Sequence, residues 1–183
     1  SQRTKATTRA IVNKLFNQRI NRNMDPTKLK KAIDTLKASG VAHSDSLYFT
    51  EEIDSKLREA IEKWYAPIPQ NEEILLFTNK IGKSFFGYFR TGICITNAAL
   101  YCRLQADTFL SSLTLNRSRK IIPLTEINTI SIGEHDHCYG TSYEGHQLII
   151  NGKVVGLIRM GTSIEYDEDM INELTEIFNA LNK

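Results

Sequence analysis

Between positions 134 and 138 the chain reads Glu-His-Asp-His-Cys, with His146 a short distance beyond. On an extended backbone side chains two apart point the same way, so His135 and His137 can approach one ion together, and the Cys138 thiolate offers a third ligand. A metal-dependent enzyme using His135, His137 and Cys138 is the catalytic reading these residues allow. Structural zinc sites pair C-x-x-C or H-x-x-x-H, and neither spacing occurs. A polar turn between the fifth and sixth strands accounts for the same tract more simply.

A second grouping is cationic. Lys80, Lys83 and Arg90 surround Gly82 and Gly87, and convergent cations with backbone donors are what an anionic group needs. The same stretch holds Phe85, Phe86, Tyr88 and Phe89, aromatics expected to pack beneath the neighbouring hairpin or to offer a protein partner a surface. No P-loop, no G-x-G-x-x-G, no G-x-S-x-G and no H-E-x-x-H is present, which lowers the expectation of an enzyme. No cofactor is expected.

Charge is unevenly spread. Residues 1–40 hold ten Lys and Arg against two Asp, whereas residues 71–183 hold ten against thirteen acids. A basic first segment suits nucleic acid, an anionic membrane or an acidic partner, and it is also what a solvated helix surface looks like. No apolar run nears the roughly 20 residues that cross a bilayer. Three Cys in 183 residues are no disulfide framework, so a reduced, cytoplasmic setting is the expectation. A first residue of Ser reads as a piece of a longer protein.

These residues need elements to position them. Ile11, Val12, Leu15, Phe16 and Ile20 recur at helical spacing over residues 5–22. Asp25-Pro26 then opens a helix whose stripe is Leu29, Ala32, Ile33 and Leu36, ending at Gly40. Thr50 is predicted to cap a third helix with the stripe Ile53, Leu57, Ala60, Ile61 and Trp64. Prolines 67 and 69 mark a boundary between a helical region, 1–70, and a β-rich region, 71–183. Seven strands follow. If Asn97-Ala98 is a two-residue turn, Ile93 faces Cys102 and Ile95 faces Leu100, which puts Cys94 and Cys102 on opposite sheet faces and rules against a bond between them. Asn151-Gly152 is the strongest hairpin signal. Asp167 caps a last helix with the stripe Met170, Ile171, Leu174, Ile177, Phe178 and Leu181.

Seven strands and then one amphipathic helix resembles the pleckstrin-homology superfold and its bacterial and GRAM-like relatives. "GICITNAALYCRL" (92–104) and "KIIPLTEINTISI" (120–132) resemble two of its local phrases, and the resemblance covers about residues 72–183. It implies an α+β fold: an N-terminal three-helix region, then a seven-stranded PH-like β-barrel or sandwich capped by a C-terminal helix that plugs the gap between two bent sheets. Lys80, Lys83 and Arg90 fall in the stretch where lipid-binding members grip phosphates, although the denser basic pattern of those members is missing.

The leading functional expectation is a non-catalytic binding or scaffolding module for a protein or anionic ligand. A protein partner comes first, with a phosphoinositide or anionic membrane second. The alternative is nucleic-acid or anionic-membrane binding through the basic residues 1–40, and the third reading is the metal-dependent enzyme above.

Overall fold

The computed structural model describes residues 23–41, 43–64, 67–78, 92–104, 118–137, 144–159 and 168–183. The helix expected over residues 5–22 and the connection carrying Lys80, Lys83 and Arg90 lie outside those residues, as does Asp167.

Helix α1 (Pro26–Ala38) begins where capping chemistry places it. Oδ1 of Asp25 accepts from the Thr27 amide at 2.8 Å, and Pro26 takes the first position, where a missing N–H costs nothing. Leu29, Ala32, Ile33 and Leu36 are buried as one stripe. Gly40, at φ +70°, turns the chain away from the helix.

The next element was not expected. Strand β1 (Leu47–Phe49) pairs antiparallel with β2 (Ile74–Thr78), with Tyr48 opposite Phe77. Thr50 does not cap a helix: residues Thr50–Glu52 form a single 3₁₀ turn, and the Thr50 hydroxyl donates to the Ile74 carbonyl at 2.9 Å. Helix α2 (Ser55–Trp64) starts later, capped by Asp54, whose Oδ1 accepts from the Leu57 amide at 2.7 Å.

Strands β3 (Gly92–Thr96), β4 (Ala99–Leu104) and β5 (Ser118–Pro123) extend a five-stranded antiparallel sheet in the order β1-β2-β3-β4-β5. The β3–β4 register pairs Ile93 with Cys102 and Ile95 with Leu100, as the Asn97-Ala98 turn predicts. Neither β2 nor β3 alternates; every residue of both is buried. The reason is a cover on each face. Phe77, Cys94, Ala99 and Tyr101 pack with Ile61 of α2 and Ile68 on one side. Ile93, Ile95, Leu100 and Cys102 enter the main core on the other.

A 3₁₀ turn (Leu124–Glu126) leads to β6 (Ile130–His137), which with β7 (Glu144–Ile150) and β8 (Lys153–Arg159) makes a separate three-stranded antiparallel sheet. The β7–β8 turn is Asn151-Gly152, both at positive φ (52° and 75°), the geometry of a type I′ hairpin. Asn151 also ties down the approach to β6: its Oδ1 accepts from the Asn128 and Thr129 amides, and its Nδ2 donates to the Glu126 carbonyl.

Helix α3 (Glu168–Leu181) closes the core. Met170, Leu174, Ile177 and Phe178 are at most 1 % exposed and pack in one cluster with residues of both sheets and of α1. Asp25 and Lys28 lie beside Leu181–Lys183, whereas Ser44, beyond the far end of α1, meets Glu173, so α1 and α3 run in opposite directions.

The fold class expected from sequence is therefore corrected. A strand, β1, interrupts the helical segment, and the strands divide into sheets of five and three with no closed barrel among the described residues. The physical cause is twofold. Leu-Tyr-Phe is too short to show a period of two, and its pairing partner lies about thirty residues away. The turn at Leu124–Glu126 also swings the chain out of the first sheet, so that among the described strands β6 pairs with β7.

Candidate functional site

The residues singled out for chemistry are only partly brought together. His135 lies on β6 directly opposite His146 on β7, with ring centroids 5.4 Å apart and planes at 70°. His137 pairs along the backbone with Glu144, but its side chain and Cys138 lie outside the described residues. Among the described residues no three His, Cys, Asp or Glu gather as a metal-ion site. Lys80, Lys83 and Arg90 also lie outside them.

The other two thiols are poor nucleophiles. Burial pushes the Cys102 thiol up to about 11, outweighing the opposing effect of Lys120, and burial likewise raises Cys94. They occupy opposite faces of the sheet, Cys94 against α2 and Cys102 in the main core. Tyr101 is held as a neutral phenol, raised to about 12 by burial and by donating to Glu72 Oε2 at 3.0 Å. That carboxylate also accepts from the Thr96 hydroxyl at 2.6 Å. The arrangement is an anchor for the β3–β4 turn.

The feature best suited to another molecule lies where α1 meets α3. Two antiparallel helices leave a furrow wherever their facing residues are small. Here Ala32 and Leu36, both buried, form the floor of a cavity of about 350 Å³, with Ala180 contributing from α3. Thr35 and Ser39 form one wall. Their hydroxyls donate within α1, to the Lys31 carbonyl at 2.8 Å and the Leu36 carbonyl at 2.6 Å, so no ligand is needed to satisfy them.

Charge is sorted around this furrow. Lys30 and Lys37 of α1 point elsewhere and pair with Glu73 and Glu51. Lys28, Lys31 and Lys183 line the cavity, and among the described residues none of them has an ion-pair partner. Among the described residues Glu176 is the one acid lining it. Lys28 and Lys183 also line an adjoining polar cleft of about 360 Å³ that holds Asn23, Asn128 and Asn182. The result is an apolar slot with a cationic border continuing into a polar cleft. The sequence showed α1 to be basic; it could not show which lysines its own glutamates neutralise, because those partners lie 14 and 43 positions away.

No helix of the described residues is long and apolar enough to cross a membrane. The chain matches no protein-family model, no curated protein and no solved structure.

Proposed function

We propose that this protein is a non-catalytic binding module whose α1–α3 furrow docks an acidic amphipathic segment of another protein. The observation that carries this reading is the sorting of lysines: Lys30 and Lys37, facing away from the furrow, pair with the chain's own glutamates, and the three beside it have no ion-pair partner among the described residues. An apolar floor takes two or three hydrophobic anchors of a helical segment, and the lysine border attracts carboxylates flanking them, which steers approach and sets orientation. The volume, about 350 Å³, suits a few side chains and is small for a cofactor of dinucleotide size. Isolated exposed ion pairs contribute little, about 0–1 kcal/mol each, so the apolar anchors supply most of the affinity and the lysines the selectivity.

The test is binding of a fluorescently labelled acidic amphipathic helical peptide, followed by anisotropy, beside a charge-reversed peptide, anionic vesicles and duplex DNA. The acidic peptide alone should bind. The double variant Lys28→Glu/Lys31→Glu should weaken it at least tenfold, and Ala180→Trp, which fills the furrow from its exposed side, should abolish it. Tight binding of vesicles or DNA in place of the peptide, or indifference to these variants, would overturn the reading.

A further inference from the structure

The cross-strand histidines on β6 and β7 have a geometry that the fold goes out of its way to build. The β6–β7 ladder is regular up to Ile132 opposite Leu148, then slips so that His135 faces His146. Gly133 and Glu134 therefore stand opposite Gln147 alone, a β-bulge carrying one extra residue. The first of these positions is crowded: a Cβ on Gly133 would sit 2.7 Å from Cδ1 of Ile149 and 3.0 Å from Oε1 of Gln147, so those side chains would have to shift. The bulge does two things. It brings the two imidazoles to one side of the sheet as direct neighbours, and it turns the Gly133 carbonyl toward His146, whose Nδ1 lies 2.9 Å away.

A carbonyl only accepts, so Nδ1 of His146 carries the proton, and in a neutral ring the lone pair is then on Nε2. A backbone carbonyl fixing the far nitrogen is how metal-ligating histidines are held in tautomer and orientation. The separation fits as well. Two ring nitrogens at about 2.0–2.1 Å from one zinc ion, with about 1.1 Å more to each ring centre, place the centroids about 5.2 Å apart at a tetrahedral angle. The rings here are 5.4 Å apart.

The geometry points to a transition-metal site formed by His135 and His146, taking a borderline divalent ion such as Zn²⁺, Ni²⁺ or Cu²⁺ through imidazole nitrogen. His135 and His146 supply two imidazoles, and water or an incoming ligand can complete the coordination of an open, exchangeable site. It is independent of the α1–α3 furrow and shares no residue with it.

Isothermal titration of the full chain with Ni²⁺ and with Zn²⁺ at neutral pH should show one saturable site, with no heat from Mg²⁺, which prefers oxygen ligands. His146→Ala and His135→Ala, each checked for native circular dichroism, should each weaken binding at least tenfold. His43→Ala, which alters a histidine remote from the β6–β7 pair and held by Glu173 and Glu52, should leave it unchanged. Gly133→Ala gives a second handle: it keeps both imidazoles but crowds the Ile149 and Gln147 side chains at the bulge that aims the carbonyl, and it should weaken binding by less than either histidine variant. Absence of binding by the wild-type chain, or binding lost in Cys138→Ser while retained in His146→Ala, would overturn the assignment.

Discussion

Nδ1 of His43 lies 3.0 Å from Oε1 of Glu173, a pair separated by 130 residues that ties the loop after α1 to the middle of α3. Glu173 is set among the apolar positions of α3, and its side chain is 3 % exposed. Its second oxygen accepts from the Ser44 amide at 3.1 Å. The other ring nitrogen of His43 lies 3.1 Å from Oε1 of Glu52, and the ring stacks on Phe49 at 5.1 Å. Ionised carboxylates only accept, so a ring satisfied at both nitrogens is an imidazolium. One charged ring thereby links α3 to the 3₁₀ turn beside β1.

This link predicts a pH dependence of stability. Partial burial pulls the His43 pKa down, and the hydrogen bond and charge of Glu173, together with Glu52, more than reverse it, so the net shift is upward. A raised folded-state pKa stabilises fully below the ordinary value of about 6.5, and that contribution fades as pH rises through the folded-state value. Thermal unfolding from pH 5.5 to 9 should show Tm falling across the neutral range, and His43→Ala should flatten that fall. An identical slope in the variant would remove His43 as its source.

Removing the carboxylate should cost more than removing the ring. Glu173→Ala strands the Ser44 amide and leaves His43 without its inner partner, a loss of about 1–3 kcal/mol. Glu173→Gln keeps an acceptor for Ser44 but not the charge, and should fall between wild type and Ala. Urea unfolding at pH 6 ranks the three.

Phe178 and Leu174, both 0 % exposed, sit at the junction of α3 with the two sheets. Truncation of either to Ala removes packing against several elements at once and should cost about 3–5 kcal/mol in chemical denaturation. Unchanged stability in both variants would mean that α3 does not close the core.

Two glycines should respond for different reasons. At Gly152, φ is +75° and a Cβ would meet nothing within 4 Å, so Gly152→Ala costs backbone strain alone, about 1 kcal/mol. At Gly133 the obstacle is steric, from the Ile149 and Gln147 side chains. Circular dichroism melts should therefore show a modest loss for Gly152→Ala, with the extra loss at Gly133→Ala relieved by Ile149→Val, which removes the closest methyl.

Thiol accessibility checks the two-sided burial of the first sheet. Cys94 and Cys102 are both 0 % exposed, and burial raises both pKa values. A disulfide exchange reagent should modify no more than one of the three cysteines in the native chain and all three after denaturation. Rapid native labelling of two would place one face of the sheet in solvent.

Local geometry was legible in the residues themselves. Asp25-Pro26 and Gly40 bounded α1, Asn97-Ala98 set the register that separates Cys94 from Cys102, and Asn151-Gly152 placed the β7–β8 turn. Each of these signals acts over a few residues, through φ preferences or a repeating apolar face, and so needs no knowledge of distant partners. What the amino-acid order could not convey is which remote groups meet. Leu47–Phe49 becomes a strand only because β2 presents an open edge, Glu173 is tolerated in an apolar stripe only because His43 and Ser44 arrive beside it, and His135 faces His146 only through a bulge at Gly133. The pairing of Lys30 with Glu73 and of Lys37 with Glu51, away from the furrow, is of the same kind. Capping and turn chemistry are encoded residue by residue, whereas sheet edges, buried ion pairs and furrows belong to pairs of segments and exist only once the chain has packed.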